Sequence, residues 1–493
     1  MDSASTELGL RPANSVRELV WPLIAIIVGI FMVILDTTAV NVALPVLGED
    51  FHESLSVVQW TITGYALAQA AVIPLAGWMS DRYGAKRIFV SSLVLFVLGS
   101  ILCAFATTAE QLIAFRVFQG LGGGMVVPIA FAMTYRLSPP EKAGSILGMM
   151  GIPILLAPAL GPIVSGYLVD YVNWQWIFLI NVPIGILGFI LCVVKLPRFP
   201  VKASASLDFW GILLGPLAFA GLSYGISEGG ESWTSTETIV GLSGGAVALV
   251  LFVIVELTRK KEPLLELRVF KSSLFSRGIV AQWVLQFVMF GVIFMIPYFM
   301  QRLMGMSAFH AGIWTLPQAL AAAAFMPVGG RLYDRIGARP LVITGLTLVT
   351  VGAFLISRID PGDSAWSFLF PRALLGMGMG LSFLPLNTYL IQSAPSDLVS
   401  RVTSLTSAAQ QVVTSFAVAG LTTIIANRTV HYVGQGNKPD PAMANAFQDT
   451  YLILAGIAVV GLALGLTLRR IKAKQEKGAE HDAAAQGEGA LIG

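Results

Sequence analysis

Charge is what this sequence lacks most. Of 493 residues only 12% are Asp, Glu, Lys or Arg, 55% are hydrophobic, and the mean hydropathy is +0.76. So few charges on so much apolar surface exclude a set of soluble globular domains. Cysteine is nearly absent too. Cys103 and Cys192 fall in separate apolar runs and supply neither a disulfide framework nor a metal site, whose ligands come in clusters. The four histidines are scattered, with no HExxH. No G-x-x-x-x-G-K-[ST] phosphate loop is present, so neither a cofactor nor ATP is expected, and a gradient is the remaining energy source. With no Ser/His/Asp, metal or paired-carboxylate constellation, the chain does not read as an enzyme.

What is present in abundance is apolar length. Runs of roughly 20 residues, enough to cross about 30 Å of hydrocarbon, mark fourteen spans along nearly the whole chain. The first is placed at 21–45, the thirteenth at 399–427 and the fourteenth at 448–468. The opening residues are polar and no small-residue cleavage site follows the first run, so span 1 reads as a retained anchor. With the N-terminus placed in the cytoplasm, only Arg302, Arg358, Arg428 and Lys438 of the 31 basic residues lie outside, and only Arg116 and Arg372 lie within spans. Both termini are therefore expected in the cytoplasm, in a multi-pass protein of the cytoplasmic membrane. The net charge of +3 reflects this asymmetry and not a nucleic-acid partner. The loop after span 8, with Arg259, Lys260, Lys261, Arg268 and Lys271, should rest on the anionic inner leaflet of the bilayer.

One charged turn is written twice. "GWMSDRYGAKR" at 77–87 returns as "GRLYDRIGARP" at 330–340, and "FRVFQGLGGG" at 115–124 returns as "PRALLGMGMG" at 371–380. The two offsets nearly agree, and an even number of spans separates the copies, so the halves are parallel repeats. Parallel six-span repeats around a midplane site are a transporter architecture. The expected fold is all-α, with fourteen transmembrane helices in two pseudo-symmetric six-helix bundles plus two inserted helices. The divisions are a cytoplasmic segment 1–20, a bundle 21–194, a linker 195–208, an inserted pair 209–257, a basic linker 258–276, a second bundle 277–468, and a disordered cytoplasmic tail 469–493.

The motifs in these repeats resemble those of the major facilitator superfamily, in its fourteen-span EmrB/QacA-type drug:proton antiporter branch. The turn from Gly77 to Arg87 is similar to motif A, "LDTTAVNVALP" at 35–45 to the span 1 signature, and "RVFQGLGGG" to motif B. "APALGPIVSGY" at 157–167 resembles the antiporter motif C, and "WQWIFLINVPIG" at 174–185 the start of span 6. Ala157 and Ser165 stand where motif C more often has glycine, Gln175 replaces the usual arginine, and the second turn ends in Pro340. The resemblance implies that the motif B arginine, Arg116, governs proton coupling. It also implies that motif C, with Pro158, Gly161, Pro162 and Gly166, seals the outer side.

Residue chemistry gives these motifs work of their own. In the charged turn Gly84 permits a tight bend, and Asp81 can accept from helix N-terminal amides or from arginine on the neighbouring bundle. A contact made in one state and broken in another is a latch. Gly77, Asp81, Arg82, Gly84, Lys86 and Arg87, with Asp334, Arg335 and Gly337 in the repeat, are its candidates; Arg82, Lys86 and Arg87 also serve topology alone. Asp36 is the one carboxylate placed deep in the hydrocarbon. Desolvation disfavours a charged carboxylate, which makes Asp36 a proton carrier, or else a structural acid paired with Arg116 or bonded to Asn41. Arg116 stays charged and needs a partner. Arg372, its repeat equivalent, is expected nearer the inner membrane edge, snorkelling. Span 5, with Pro153, Pro158 and Pro162 among glycines, should be bent and tightly packed.

Polar and aromatic stripes supply candidates for a substrate cavity. They are Asn41, Tyr65, Gln69 and Gln119 in the first half, and Gln282, Gln286, Phe290, Phe294, Trp314, Gln318, Asn387 and Gln410 in the second. Amides in a bilayer bond one another or face water. With Met289 and Met295 among them, they suit an adaptable pocket for hydrophobic or amphipathic small molecules. The expected activity is proton-coupled multidrug efflux by alternating access, with protons, such substrates and the lipid bilayer as partners. Nothing in the sequence specifies a periplasmic adaptor. Export of one endogenous lipid, peptide or metabolite, and proton-coupled uptake by symport, are the competing readings.

Overall fold

The computed structural model describes residues 16–199, 201, 208–229, 232–259, 263–306, 308–360, 362–395 and 398–469. The tail from 470 onward and half of the 195–208 linker lie outside them. Fourteen helices among the described residues are long and apolar enough to cross a membrane. The first six are α1 (Val16–Phe51), α2 (Leu55–Tyr83), α3 (Ala85–Ala104), α4 (Ala109–Leu137), α5 (Ala143–Tyr171) and α6 (Asn181–Lys195), the last preceded by the single turn Trp176–Leu179. The inserted pair is α7 (Phe209–Gly229) and α8 (Thr236–Thr258). The second set is α9 (Ser273–Arg302), α10 (Ala308–Ile336), α11 (Ala338–Ile356), α12 (Leu369–Gln392), α13 (Val399–Gly434) and α14 (Pro439–Leu466).

Several helices outrun their hydropathy. α1 and α13 have 36 residues each, about 54 Å at 1.5 Å per residue, far longer than about 30 Å of hydrocarbon. α14 begins nine residues before the apolar run at 448, with Pro439 in its first turn, where the missing amide costs nothing. Hydropathy marks what the lipid touches, and the helices continue past it into water.

The repeat is visible in how the motif B helix packs. Gly120 and Gly124 of α4 lie on α2, where a Cβ would meet the Tyr65 carbonyl oxygen and Val72 at 2.6 Å. Gly122 faces α3, 2.7 Å from the Phe96 nitrogen by the same measure. In the second half Gly376 and Gly380 of α12 press on α10, and Gly378 presses on Gly345 of α11. The same three register positions bring backbones together in both bundles, which only glycine allows at such range. The turn after each copy of the charged motif is also shared. Gly84 has φ of 94° and Gly337 has φ of 81°, both in the left-handed region that favours glycine.

The halves meet along two seams, α5 against α10 and α2 against α13, and the inserted helix α7 packs on α2 and α13. The α7–α8 turn is tied to the same place by Trp233, whose indole donates to Thr423 of α13 at 2.7 Å. α5 runs as one helix through its three prolines. Its Gly161 packs against Thr38 of α1, while Gly151 and Gly166 face Met326 and Phe309 of α10.

Candidate functional site

Asp36 lies just past the middle of α1, 1% exposed, inside the first bundle. Arg116, seven residues into α4 and fully buried, donates from Nη1 to Asp36 Oδ2 at 2.6 Å. A guanidinium in an apolar interior must place its other donors, and it does: Nη1 reaches Gln119 Oε1 at 2.7 Å and Nε reaches the Thr61 carbonyl at 3.1 Å. Its flat face stacks on the Tyr65 ring at 3.9 Å. The other carboxylate oxygen, Asp36 Oδ1, accepts from Gln119 Nε2 at 3.1 Å and from Asn181 Nδ2 at 2.8 Å. Ser100 of α3 accepts from both amides at 2.9 Å. Five helices thus converge on one ion pair.

A narrow crevice between α1, α5 and α6 also reaches the acid, lined among others by Asp36, Ser165, Leu168, Ile177, Ile180 and Asn181. Ser165 Oγ and Asn181 Oδ1 are buried there with no hydrogen-bond partner. The crevice is too narrow in this structure to admit a water to these oxygens. Ser165 is one of the two motif C positions that depart from glycine.

The inner ends of the helices carry the charged turns. Asp81 of α2 accepts from Arg136 of α4 at 3.1 Å and pairs with Arg401 of α13 at 3.5 Å, both Asp81 and Arg401 being 1% exposed. Asp334 of α10 accepts from the Gly144 and Ser145 amides of α5, each at 2.9 Å, and from the Ser145 hydroxyl. Each aspartate therefore reaches the first turn of the fifth helix of the opposite half, Asp334 through unpaired amides that attract an anion and Asp81 through the Arg401 side chain. Glycines stand beside both. A Cβ on Gly77 would lie 2.5 Å from the Ser400 carbonyl oxygen, and one on Gly330 would strike that of Gly144. Lys86 turns the other way, donating to the Val193 and Leu196 carbonyls at the end of α6 at 2.9 and 2.6 Å. Arg82 lies 6.0 Å over the Trp78 ring, and Arg87 and Arg335 are exposed.

The remaining candidates separate into groups. Gln119 and Tyr65 belong to the Asp36 network, and Gln69 donates to the Tyr65 hydroxyl at 3.0 Å. Asn41 is exposed and bonds the Thr38 carbonyl at 3.5 Å, not Asp36. Gln286 of α9 donates to Thr414 of α13 at 3.1 Å, and Gln410 of α13 to Asn387 of α12 at 3.5 Å, so these amides link helices. Gln282 is fully buried, Gln318 is 7% exposed against Met379 Sδ, and Trp314 stacks edge-on with Trp366 at 5.2 Å. Phe290 and Phe294 are half-buried on α9. Pro158 and Pro162 are half-buried on α5. Asn181, Ser100 and Thr61 complete the ion-pair shell; for Asn181, an amide inside the apolar run of span 6 was the available signal.

Arg372 departs from expectation. It is fully buried near the start of α12, on the face of the molecule opposite the termini, and does not snorkel. Its ring neighbour is Phe368 at 5.9 Å, and none of its guanidinium nitrogens has a hydrogen-bond partner. The position that repeats Asp36 at the same offset is Val292. The second half kept the arginine and not the acid.

The model of the Major Facilitator Superfamily matches residues 26–418. The chain belongs to that superfamily. It is a transporter and not an enzyme. Among curated relatives, a "Multidrug resistance protein B homolog" of Mycobacterium tuberculosis is 34% identical over 404 residues, 80% of this chain and 74% of that one. A "Putative multidrug resistance protein MdtD" of Salmonella heidelberg is 32% identical, covering 89% and 92% of the two chains. The "Lincomycin resistance protein LmrB" of Bacillus subtilis is 28% identical, covering 91% and 96%. In fold, the solved proton:xylose symporter XylE superposes with a TM-score of 0.67 at 15% identity, over 92% of this chain and 97% of that one. Family membership accounts for the paired bundles and for two seams that close around a shared axis.

Proposed function

We propose that the protein exports hydrophobic or amphipathic small molecules across the cytoplasmic membrane in exchange for protons, with both termini in the cytoplasm. The observation that carries this reading is the Asp36–Arg116 pair: a titratable acid fully withdrawn from water, held by three donors, and reached by a crevice with unsatisfied oxygens. The names of the relatives support multidrug substrates.

Protonating Asp36 removes the charge that Arg116, Gln119 and Asn181 are arranged to hold. The guanidinium is then left on Gln119 Oε1, the Thr61 carbonyl and the Tyr65 ring, and the joint between α1 and α4 loses its strongest contact. Releasing the proton inside restores it. The energy suffices. One pH unit supplies about 1.4 kcal/mol per proton, and 100 mV adds about 2.3 kcal/mol per charge moved. The Asp81 and Asp334 contacts serve as the inner latch, closed in this structure and broken when the cavity opens inward.

Acid-loaded inverted vesicles with a pH dye test the reading. Lipophilic cations should discharge the gradient through the native protein and not through Asp36→Asn. Equal discharge by the variant refutes proton exchange at Asp36, and proton-driven uptake into intact cells would establish a symporter instead.

A further inference from the structure

We propose that Asp208 and Glu256 form a second proton-binding site, separate from Asp36, that fastens the linker between the two halves to the inserted helix pair. Hydropathy placed a single carboxylate deep in the spans, and the structure buries another. Glu256, in the last turn of α8, is 1% exposed, and Asp208, just before α7, is fully buried. Asp208 Oδ1 caps α7 through the Gly211 amide at 3.0 Å and pairs with Arg259 Nη1 at 3.2 Å. Asp208 Oδ2 is buried without a hydrogen-bond partner, and the buried Glu256 carboxyl has only the backbone of Leu264 and Leu265 in the linker beside it. They converge on bare backbone: a Cβ on Gly211 would lie 2.7 Å from Asp208 Oδ2 and 2.7 Å from Glu256 Oε1.

Among the described residues the charges do not balance without a proton. Two buried carboxyls face one guanidinium, that of Arg259. The groups presented to Glu256 by its neighbours are Asp208, Arg259 and the backbone of Leu264 and Leu265 in the linker. Of the other nearby ions, Glu266 bonds the Arg268 amide at 3.3 Å and Arg268 bonds the Arg259 carbonyl at 2.6 Å, while Asp81 of α2 and Arg401 of α13 pair with each other. Among the described residues no second cation faces the pair. An uncompensated buried charge is far more costly than a shared proton, so the two acids hold one proton between them.

The site sits where the halves are joined. Leu264 and Leu265, both fully buried, pack in one apolar cluster with Phe219 and Phe252 of the inserted pair, Trp78 of α2, Phe275 of α9 and Val402 of α13. Loss of the proton sets two like charges against each other beneath these leucines and weakens the linker's hold on the hairpin. The linker runs directly into α9, so the tether of the second bundle loosens as the cytoplasm becomes alkaline.

Infrared spectra of the purified full chain at pH 7 test the proton. Glu256→Gln and Asp208→Asn should each remove one protonated-carboxyl band, because either leaves a single acid neutralised by Arg259. A folded variant of either kind that keeps the band overturns the site, and having two variants guards against one failing to fold. Linker release is read from maleimide labelling of Val269→Cys in a chain lacking Cys103 and Cys192. Controlled by one proton, labelling should rise by up to about tenfold per pH unit beyond the rise seen with Glu256→Gln added. Parallel curves in the two backgrounds would overturn the fastening role. Neither readout depends on Asp36 or on substrate, so its outcome is distinct from that of the antiport reading.

Discussion

Asn181→Leu is the sharpest test of how the Asp36 site works, because it removes two hydrogen bonds, one of them to the acid itself, and little volume. Asn181 donates to Asp36 Oδ1 at 2.8 Å and to Ser100 at 2.9 Å. A hydrogen bond to a charged group is worth about 1.5–3 kcal/mol. Its loss weakens the hold on the Asp36–Arg116 pair, and drug-induced proton exchange should fall by about 10–150-fold. The assay is drug-induced proton movement in inverted vesicles, with Gln119 and Arg116 intact. A folded variant that exchanges at the native rate would show that Asn181 only packs, and the account of Asp36 as the coupled acid would fail with it.

Three further outcomes follow from the same geometry. Asp36→Asn and Arg116→Gln should each destabilise the detergent-solubilised protein by about 3–5 kcal/mol. The double variant should cost much less than their sum, and simple additivity in thermal unfolding would contradict a buried pair. Arg372→Met should raise the unfolding midpoint, since an unpartnered buried cation is removed, while Arg116→Met lowers it; equal effects would mean that Arg372 is satisfied. Gly77→Ala and Gly330→Ala each force a methyl onto a carbonyl of the opposite half. At about 1–3 kcal/mol of overpacking, they should shift the inner-closed population by about 5–150-fold. Labelling of Ser404→Cys from the cytoplasmic face checks this, and unchanged labelling would remove the glycines from the latch.

The parts of this molecule that were legible in sequence are those that the bilayer makes conspicuous. Apolar length marked fourteen spans, and the duplicated turns gave the parallel halves that the structure has. A carboxylate and an arginine inside spans are rare enough to single out Asp36 and Arg116. Their shell was less legible. Asn181 and Ser100 are small polar residues in apolar runs, and nothing local says that one meets a charge 145 positions away or that the other bonds the amides that hold it. Gln119 illustrates the converse: helical spacing put it on the face of Arg116, and only packing shows that this face points into the bundle. Glu256 escaped notice because it closes a span, where a carboxylate ordinarily meets water, whereas here the linker folds over it.

The inserted pair makes the two seams between the bundles unlike. α7 lies across α2 and α13, and its turn is pinned to α13 by Trp233, while α5 and α10 meet with no inserted helix over them. A compound dissolved in the lipid therefore encounters one flank shielded by an extra layer of protein and one flank bare. The unshielded flank is also the side of α5, the helix that carries three prolines.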